Sequence, residues 1–280
     1  MHPEFPLTAN TCALRDSSGL AVLPNHFERS GGEEHAELAI SANFAIQRDF
    51  VFTKHGSDSP RPTDWDRYYL SVPATAKLTR RYSTSVLVDA IRRHARTGRG
   101  DGRLSIVEIG GANSCFLDAI LSRIPCRSYD VVDTNEYGLG LLSGRVGDGK
   151  VVRLHKHSIL DGALPLSADL VFSVGLVEHF RPRETRAAVL AHLDYLRPGG
   201  TLIVTFPTPT LLYRITRGFI EALGMWKFPD ERPLQPQEVM EAVGVRGDVI
   251  WEKTLWPLML TQYMIVARKR CSSDVELLSA

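Results

Sequence analysis

Three acidic side chains and one histidine stand in this sequence where they could do chemistry. Glu108 lies near the end of an apolar run, residues 104–109, just ahead of a turn of small residues, Gly110-Gly111-Ala112-Asn113-Ser114. Small residues let a backbone approach a ligand closely and take conformations that larger side chains resist. The N–H groups that open the helix expected after them, from about Cys115, are free to face that ligand. An acidic residue before such a turn suits a ligand that is cationic or rich in hydroxyls, and suits a pyrophosphate poorly. Asp133 ends a second apolar run, where one carboxylate can accept two hydrogen bonds from a vicinal diol, as acidic residues do in dinucleotide sites. Glu178 and His179 follow a third run, 168–174, and either could take a proton from an oxygen or nitrogen nucleophile.

These residues need a scaffold that gathers strand ends at one place. The spacing predicts strands at 104–109, 128–132, 151–157, 168–174 and 201–206, and two closing strand-like runs at 248–251 and 261–268. Helices are expected at 83–95, 114–124 and 183–196, with Arg197-Pro198-Gly199-Gly200 as a sharp stop. Alternation of this kind predicts an α/β fold: a mostly parallel, doubly wound, seven-stranded sheet with helices on both faces. Such sheets bind ligands beyond the carboxyl ends of their strands, where strand order reverses. Residues 1–82 read as an irregular or helical extension, 83–270 as the main domain, 207–236 as an insertion after the fifth strand, and 271–280 as a tail.

The formal net charge of +1 over 280 residues gives no general attraction to nucleic acid. Cys12, Cys115, Cys126 and Cys271 are scattered without metal-ligand spacing and read as reduced thiols. The chain starts without a basic and apolar leader, and no window reaches the length of a membrane span. A cytoplasmic protein is expected, with contact at a membrane surface left open. His155-Lys156-His157 puts two imidazoles on one strand face with no third ligand near, and reads as a solvated sheet edge, so no metal site is expected. The pairs Arg80-Arg81 and Arg92-Arg93 read as solvated faces.

Four stretches in order resemble class I S-adenosylmethionine-dependent methyltransferases. Residues 107–114, Val-Glu-Ile-Gly-Gly-Ala-Asn-Ser, are similar to the family's first motif, hhEhGxGxG. Asp133 resembles the acid of its second motif, Ser173-Val174-Gly175-Leu176-Val177-Glu178-His179-Phe180 the stretch after its fourth strand, and residues 196–204 the entry to its fifth. The resemblance covers 85–206 well and 240–270 loosely. Ala112 and Ser114 depart from it where glycines are usual; Ala112 keeps the turn small, and Ser114 can cap the helix that follows.

The resemblance implies S-adenosylmethionine as cofactor, held by Glu108, Gly110, Gly111, Ala112, Asp133, Thr134, Ser158, Ile159, Ser173 and Val174. Asp133 would take the ribose hydroxyls. Glu108 would lie near the methionine amino group or order the loop. Ser158, with Asp161 as competitor, would stand where relatives hold the adenine. Tyr68 and Tyr69 would close over the sulfonium, since aromatic faces attract cations. His179 and Glu178 are the catalytic candidates. The amphipathic, mildly basic stretch 211–227 would form a lid over a small or lipid-linked acceptor, methylated on oxygen or, as second choice, nitrogen. The pyrophosphate argument stands against a nicotinamide-dependent oxidoreductase. A binding or regulatory module that kept the fold without turnover is the other alternative.

Overall fold

A computed structural model describes residues 61–70, 74–146, 151–255 and 260–271. The irregular stretch expected over 1–60, with Cys12, and the tail from 272 lie outside the described residues. In chain order the elements are α1 (Trp65–Leu70), α2 (Ala74–His94), β1 (Leu104–Ile109), α3 (Leu117–Arg123), β2 (Cys126–Asp133), α4 (Glu136–Val146), β3 (Val152–Lys156), β4 (Ala168–Val174), α5 (Pro182–Asp194), β5 (Leu196–Pro207), α6 (Leu211–Ala222), α7 (Pro236–Gly244), β6 (Gly247–Leu255) and β7 (Gln262–Lys269). Single 3-10 turns at Ile159–Asp161 and Val177–His179 follow β3 and β4.

One seven-stranded sheet runs in the order β3-β2-β1-β4-β5-β7-β6. Strands β1 to β5 pair in parallel, and β7 lies antiparallel between β5 and β6. The chain winds outward from β1 to β3, then crosses back to place β4 on the other side of β1. The order therefore reverses between β1 and β4, and a crevice beyond their carboxyl ends is the expected ligand position.

Side chains along a strand point alternately to the two faces, and here both faces are buried. Ile106, Tyr129, Val131, Leu170, Phe172, Ile203 and Val266 face Leu87 and Ile91 of α2, Leu117 and Ile120 of α3, and Leu142 of α4. Val107, Ile109, Val132, Val171, Leu202, Val204 and Ile265 face Val189 and Leu193 of α5 and Val239 and Val243 of α7. Each such fully buried side chain contributes about 1.5–3 kcal/mol, so the strand tips rest on a scaffold that local changes at the tips do not threaten.

Several expected boundaries move. Helix α2 begins at Ala74, ahead of the expected 83, while α3 begins at Leu117 because Ser114 spends its hydroxyl on the preceding turn. The stop expected at 197–200 is instead the start of β5: Gly199 takes φ +71°, and the register shifts beside Ala168, so the Pro-Gly-Gly run makes a bulged strand entry. Helices α4 and α7 were absent from the sequence reading.

Candidate active site

The turn after β1 is built around Glu108. Its Oε1 accepts from the Ser114 hydroxyl at 2.8 Å and its Oε2 from the Tyr129 hydroxyl at 2.6 Å. Ser114 Oγ in turn accepts from the N–H groups of Phe116 at 3.1 Å and Leu117 at 3.2 Å; it ties the turn together, while the N-cap of α3 is Phe116, with no side-chain cap bond, in place of the cap expected at Ser114. Burial pushes the Glu108 carboxyl up to about 7, against the two hydroxyls that stabilise its ionised form. The side chain folds back over the turn, and a Cβ on Gly111 would stand 2.6 Å from Glu108 Cδ. Gly110 has φ +75°, a conformation that L side chains rarely take, and a Cβ there would meet Leu176 at 3.1 Å. These two glycines are thus required by geometry.

Asp133 lies at the tip of β2, beside that turn. Its Oδ2 accepts from Ala112 N at 2.9 Å and its Oδ1 from Asn135 N at 2.7 Å. Burial raises its pKa against the backbone N–H groups of Asn135, Ala112 and Thr134. A carboxylate offers about four lone-pair sites, so capacity for a diol remains. Tyr69 packs here: a Cβ on Gly138 would come 2.7 Å from its ring and 2.8 Å from Ala112 Cβ. Burial first, then Asp133, Tyr68 and Glu108, push the Tyr69 phenol well up. The α1 helix is tied down where Asn135 Nδ2 donates to Asp66 Oδ1 at 2.6 Å. Tyr68 stands further out and takes Arg80, which donates to its hydroxyl at 3.0 Å and lies 5.7 Å from the ring centroid. Arg80 therefore has a partner, in contrast to the solvated face expected of it.

Beyond β4 the chain makes a 3-10 turn that carries Glu178 and His179. The turn is fixed by Thr185 Oγ1 donating to Val177 O at 3.1 Å and by Arg232 N donating to Glu178 O at 2.9 Å. His179 Nδ1 lies 2.9 Å from Asp230 Oδ1. Asp230 also accepts from the Thr63 hydroxyl and from Thr63 N. Burial would raise Asp230, but the bonds from Thr63 and His179 outweigh it and hold the carboxyl below its usual range. An ionised partner makes Nδ1 the protonated nitrogen. Burial also lowers His179 against the pull of Asp230, so the ring is neutral near pH 7 and Nε2 keeps its lone pair. The ring is framed by Trp65, centroid at 5.1 Å, and Phe228, at 6.1 Å.

Glu178 is buried, and its Oε2 has no hydrogen-bond partner. Burial, then the nearby Glu231 and Asp230, hold its pKa well above the usual carboxylate value. Glu231 accepts from the Tyr213 hydroxyl and faces Arg217 at 3.7 Å; burial still raises its pKa. One ligand atom each from Glu178, His179 and Glu231 lie within 4.8 Å of one another.

The remaining expected residues divide. Ser173 is fully buried at the end of β4 with its hydroxyl unpartnered, and Val174 is half-buried beside it. Thr134 is exposed. Ser158 caps the turn after β3, accepting from Leu160 N at 3.2 Å, and Ile159 is buried among apolar side chains. His155 bonds Asp130 at 2.8 Å and His157 the Gly162 carbonyl at 2.8 Å, so these imidazoles part rather than converge. Trp65, Tyr213, Phe228, Asp230 and Glu231 did not figure among the expected site residues. Of these, only the aromatic density at 65–69 and the amphipathic run at 211–227 gave a signal.

No family model and no curated protein sequence matches the chain. Solved structures do. N-methyltransferase NodS from Bradyrhizobium japonicum WM9, solved with S-adenosyl-l-homocysteine, is 14% identical, with TM-score 0.53 over 73% of this chain and 92% of its own. Magnesium protoporphyrin IX methyltransferase from Synechocystis PCC 6803 is 13% identical, with TM-score 0.57 over 73% and 92%. The 1,6-didemethyltoxoflavin-N1-methyltransferase of Burkholderia thailandensis is 12% identical, with TM-score 0.53 over 88% and 94%. At these identities the shared property is the fold, and this chain has the fold of class I S-adenosylmethionine-dependent methyltransferases.

Proposed function

We propose that the protein is a methyltransferase that binds S-adenosylmethionine across the tips of β1, β2 and β4 and passes its methyl group to an oxygen of a small or lipid-linked metabolite. The observation that carries this reading is the placement of Asp133. Its half-buried carboxylate stands against the Ala112 backbone N–H with Tyr69 beside it, where a ribose diol and a sulfonium would meet an acid and an aromatic ring. The similar structures solved with S-adenosylhomocysteine support the same cofactor. Glu108, Gly110, Gly111 and Ala112 shape the turn, Thr134, Ser158, Ile159, Ser173 and Val174 flank the cofactor, and Tyr68 extends the aromatic cover.

Methyl transfer is an in-line displacement, so the protein mainly supplies position and electrostatic environment. His179, neutral and held by Asp230, takes the acceptor's proton on Nε2, and Glu178 stands beside it in the same 3-10 turn. The segment 207–236 acts as a lid. The exposed stripe Leu211, Ile215, Phe219 and Leu223 on α6 supports an apolar or lipid-linked acceptor. Nitrogen is the second reading, favoured by the buried acidic pair and by the N-methyltransferases among the similar structures. Among the described residues no helix is long and apolar enough to cross a membrane. Cys115 and Cys126 are free thiols, in keeping with a cytoplasmic placement.

Calorimetry with S-adenosylmethionine and S-adenosylhomocysteine, followed by labelled-methyl transfer into a cell extract, tests the reading. Saturable binding of both and a labelled product are expected. Failure of either compound to bind would overturn the proposal, and binding without product would favour a module that lacks turnover.

A further inference from the structure

We propose that Glu178, His179 and Glu231 form a binding site for one divalent first-row cation. Two carboxylate oxygens and an imidazole nitrogen already lie within 4.8 Å of one another. With bonds of about 2.1 Å, three evenly spread ligand atoms on such an ion stand at most about 3.6 Å apart. Inward movement of at most about 0.7 Å per ligand atom therefore completes the set.

An acidic cluster alone would not carry this. The decisive atom is Glu178 Oε2, a buried carboxylate oxygen without a hydrogen-bond partner. A buried carboxylate oxygen left in that state is costly unless a proton or a cation relieves it.

The surroundings match what ligating groups need. Metal-bound imidazoles donate their second N–H to a carboxylate, which fixes tautomer and ring orientation; His179 does so to Asp230, itself held by Thr63. That leaves Nε2 for the ion. Tyr213 holds Glu231 in the same manner. One nitrogen and two carboxylate oxygens, with no thiolate, suit Mn²⁺ or Zn²⁺. Three protein ligands leave further coordination positions open.

The ion site stands independently of the methyltransferase reading; its role in the reaction rests on that reading. A hydroxyl of the acceptor that enters an open position loses its proton to solvent more readily. Its oxygen then bonds the sulfonium methyl as the sulfur–methyl bond breaks and leaves a neutral thioether. With the ion in place, His179 is a ligand and coordination replaces proton abstraction.

The test uses the full chain stripped with a chelator, with Mn²⁺ titrated and followed by electron paramagnetic resonance and Zn²⁺ by calorimetry. One ion per chain is expected. Glu231→Gln should weaken it by more than the roughly 10–100-fold that loss of an outer-shell partner costs, and Asp230→Asn by an amount within that range. Asp133→Asn should leave ion affinity unchanged. No saturable one-to-one binding by the wild-type chain overturns the proposal, as does binding that survives both Glu178→Gln and Glu231→Gln. Labelled-methyl transfer that runs at full rate in metal-free protein overturns the role in the reaction. Ion binding with no affinity for S-adenosylmethionine would sink the methyltransferase reading and leave the ion site standing.

Discussion

At the β1–β2 end of the crevice the acids are met by donors from nearby chain: Glu108 takes Ser114 and Tyr129, and Asp133 takes two backbone N–H groups. At the β4–β5 end three carboxylates and a histidine crowd together, and one buried carboxylate oxygen, Glu178 Oε2, has no donor at all. The first region reads as a finished cradle whose polar groups hold its own shape. The second reads as machinery held in tension, its charges locked by α5, α6 and the segment after α6. Trp65 lies between them, 6.3 Å from Tyr69 and 5.1 Å from His179 by ring centroids, so one aromatic cluster links the two regions.

The contrast can be broken by substitution. His179→Ala should have the largest effect, a loss of about 10²–10⁴-fold in turnover, with cofactor affinity nearly intact. Steady-state rates with a labelled methyl donor read this out, and normal turnover would remove His179 from the chemistry. Asp133→Ala should act oppositely, on binding rather than rate. Hydrogen bonds to a charged group contribute about 1.5–3 kcal/mol, so calorimetry should show cofactor affinity down roughly 10–100-fold; unchanged affinity would contradict the ribose assignment.

The smallest effect concerns stability. Glu108 titrates at about 7 in the folded chain, against an ordinary 4.5. Between those values the folded state keeps a proton that the unfolded state has lost, so stability falls as pH rises. At 1.36 kcal/mol per pH unit the full window amounts to about 3 kcal/mol. Glu108→Gln retains the shape and removes the titration. Denaturant unfolding at pH 5 and pH 7.5 should therefore show a smaller drop in the variant than in the parent. An equal drop would mean that Glu108 is ionised when folded.

The two regions also differ in how far the sequence revealed them. The turn and Asp133 were legible because their functional spacing is local: one strand, one glycine turn, one acid ending the next strand. Asp230 was not, because it meets His179 from 51 residues away and belongs to no motif. Helix α4 was missed because Gly138, Gly140 and Gly144 lower its helical expectation. Gly138 is there for packing against Tyr69 and Ala112, a reason visible only in three dimensions. The parallel core was plain from its apolar runs, whereas the Pro-Gly-Gly entry to β5 resembles a turn until Gly199's positive φ shows how a strand absorbs it.

Trp65 gives the protein an optical reporter of its own. Its indole touches the rings of Tyr68, Tyr69, His179 and Phe228, and Trp226 in turn touches Phe228. A molecule that docks against this cluster and shifts its rings would change emission from the native chain, without label or engineered probe.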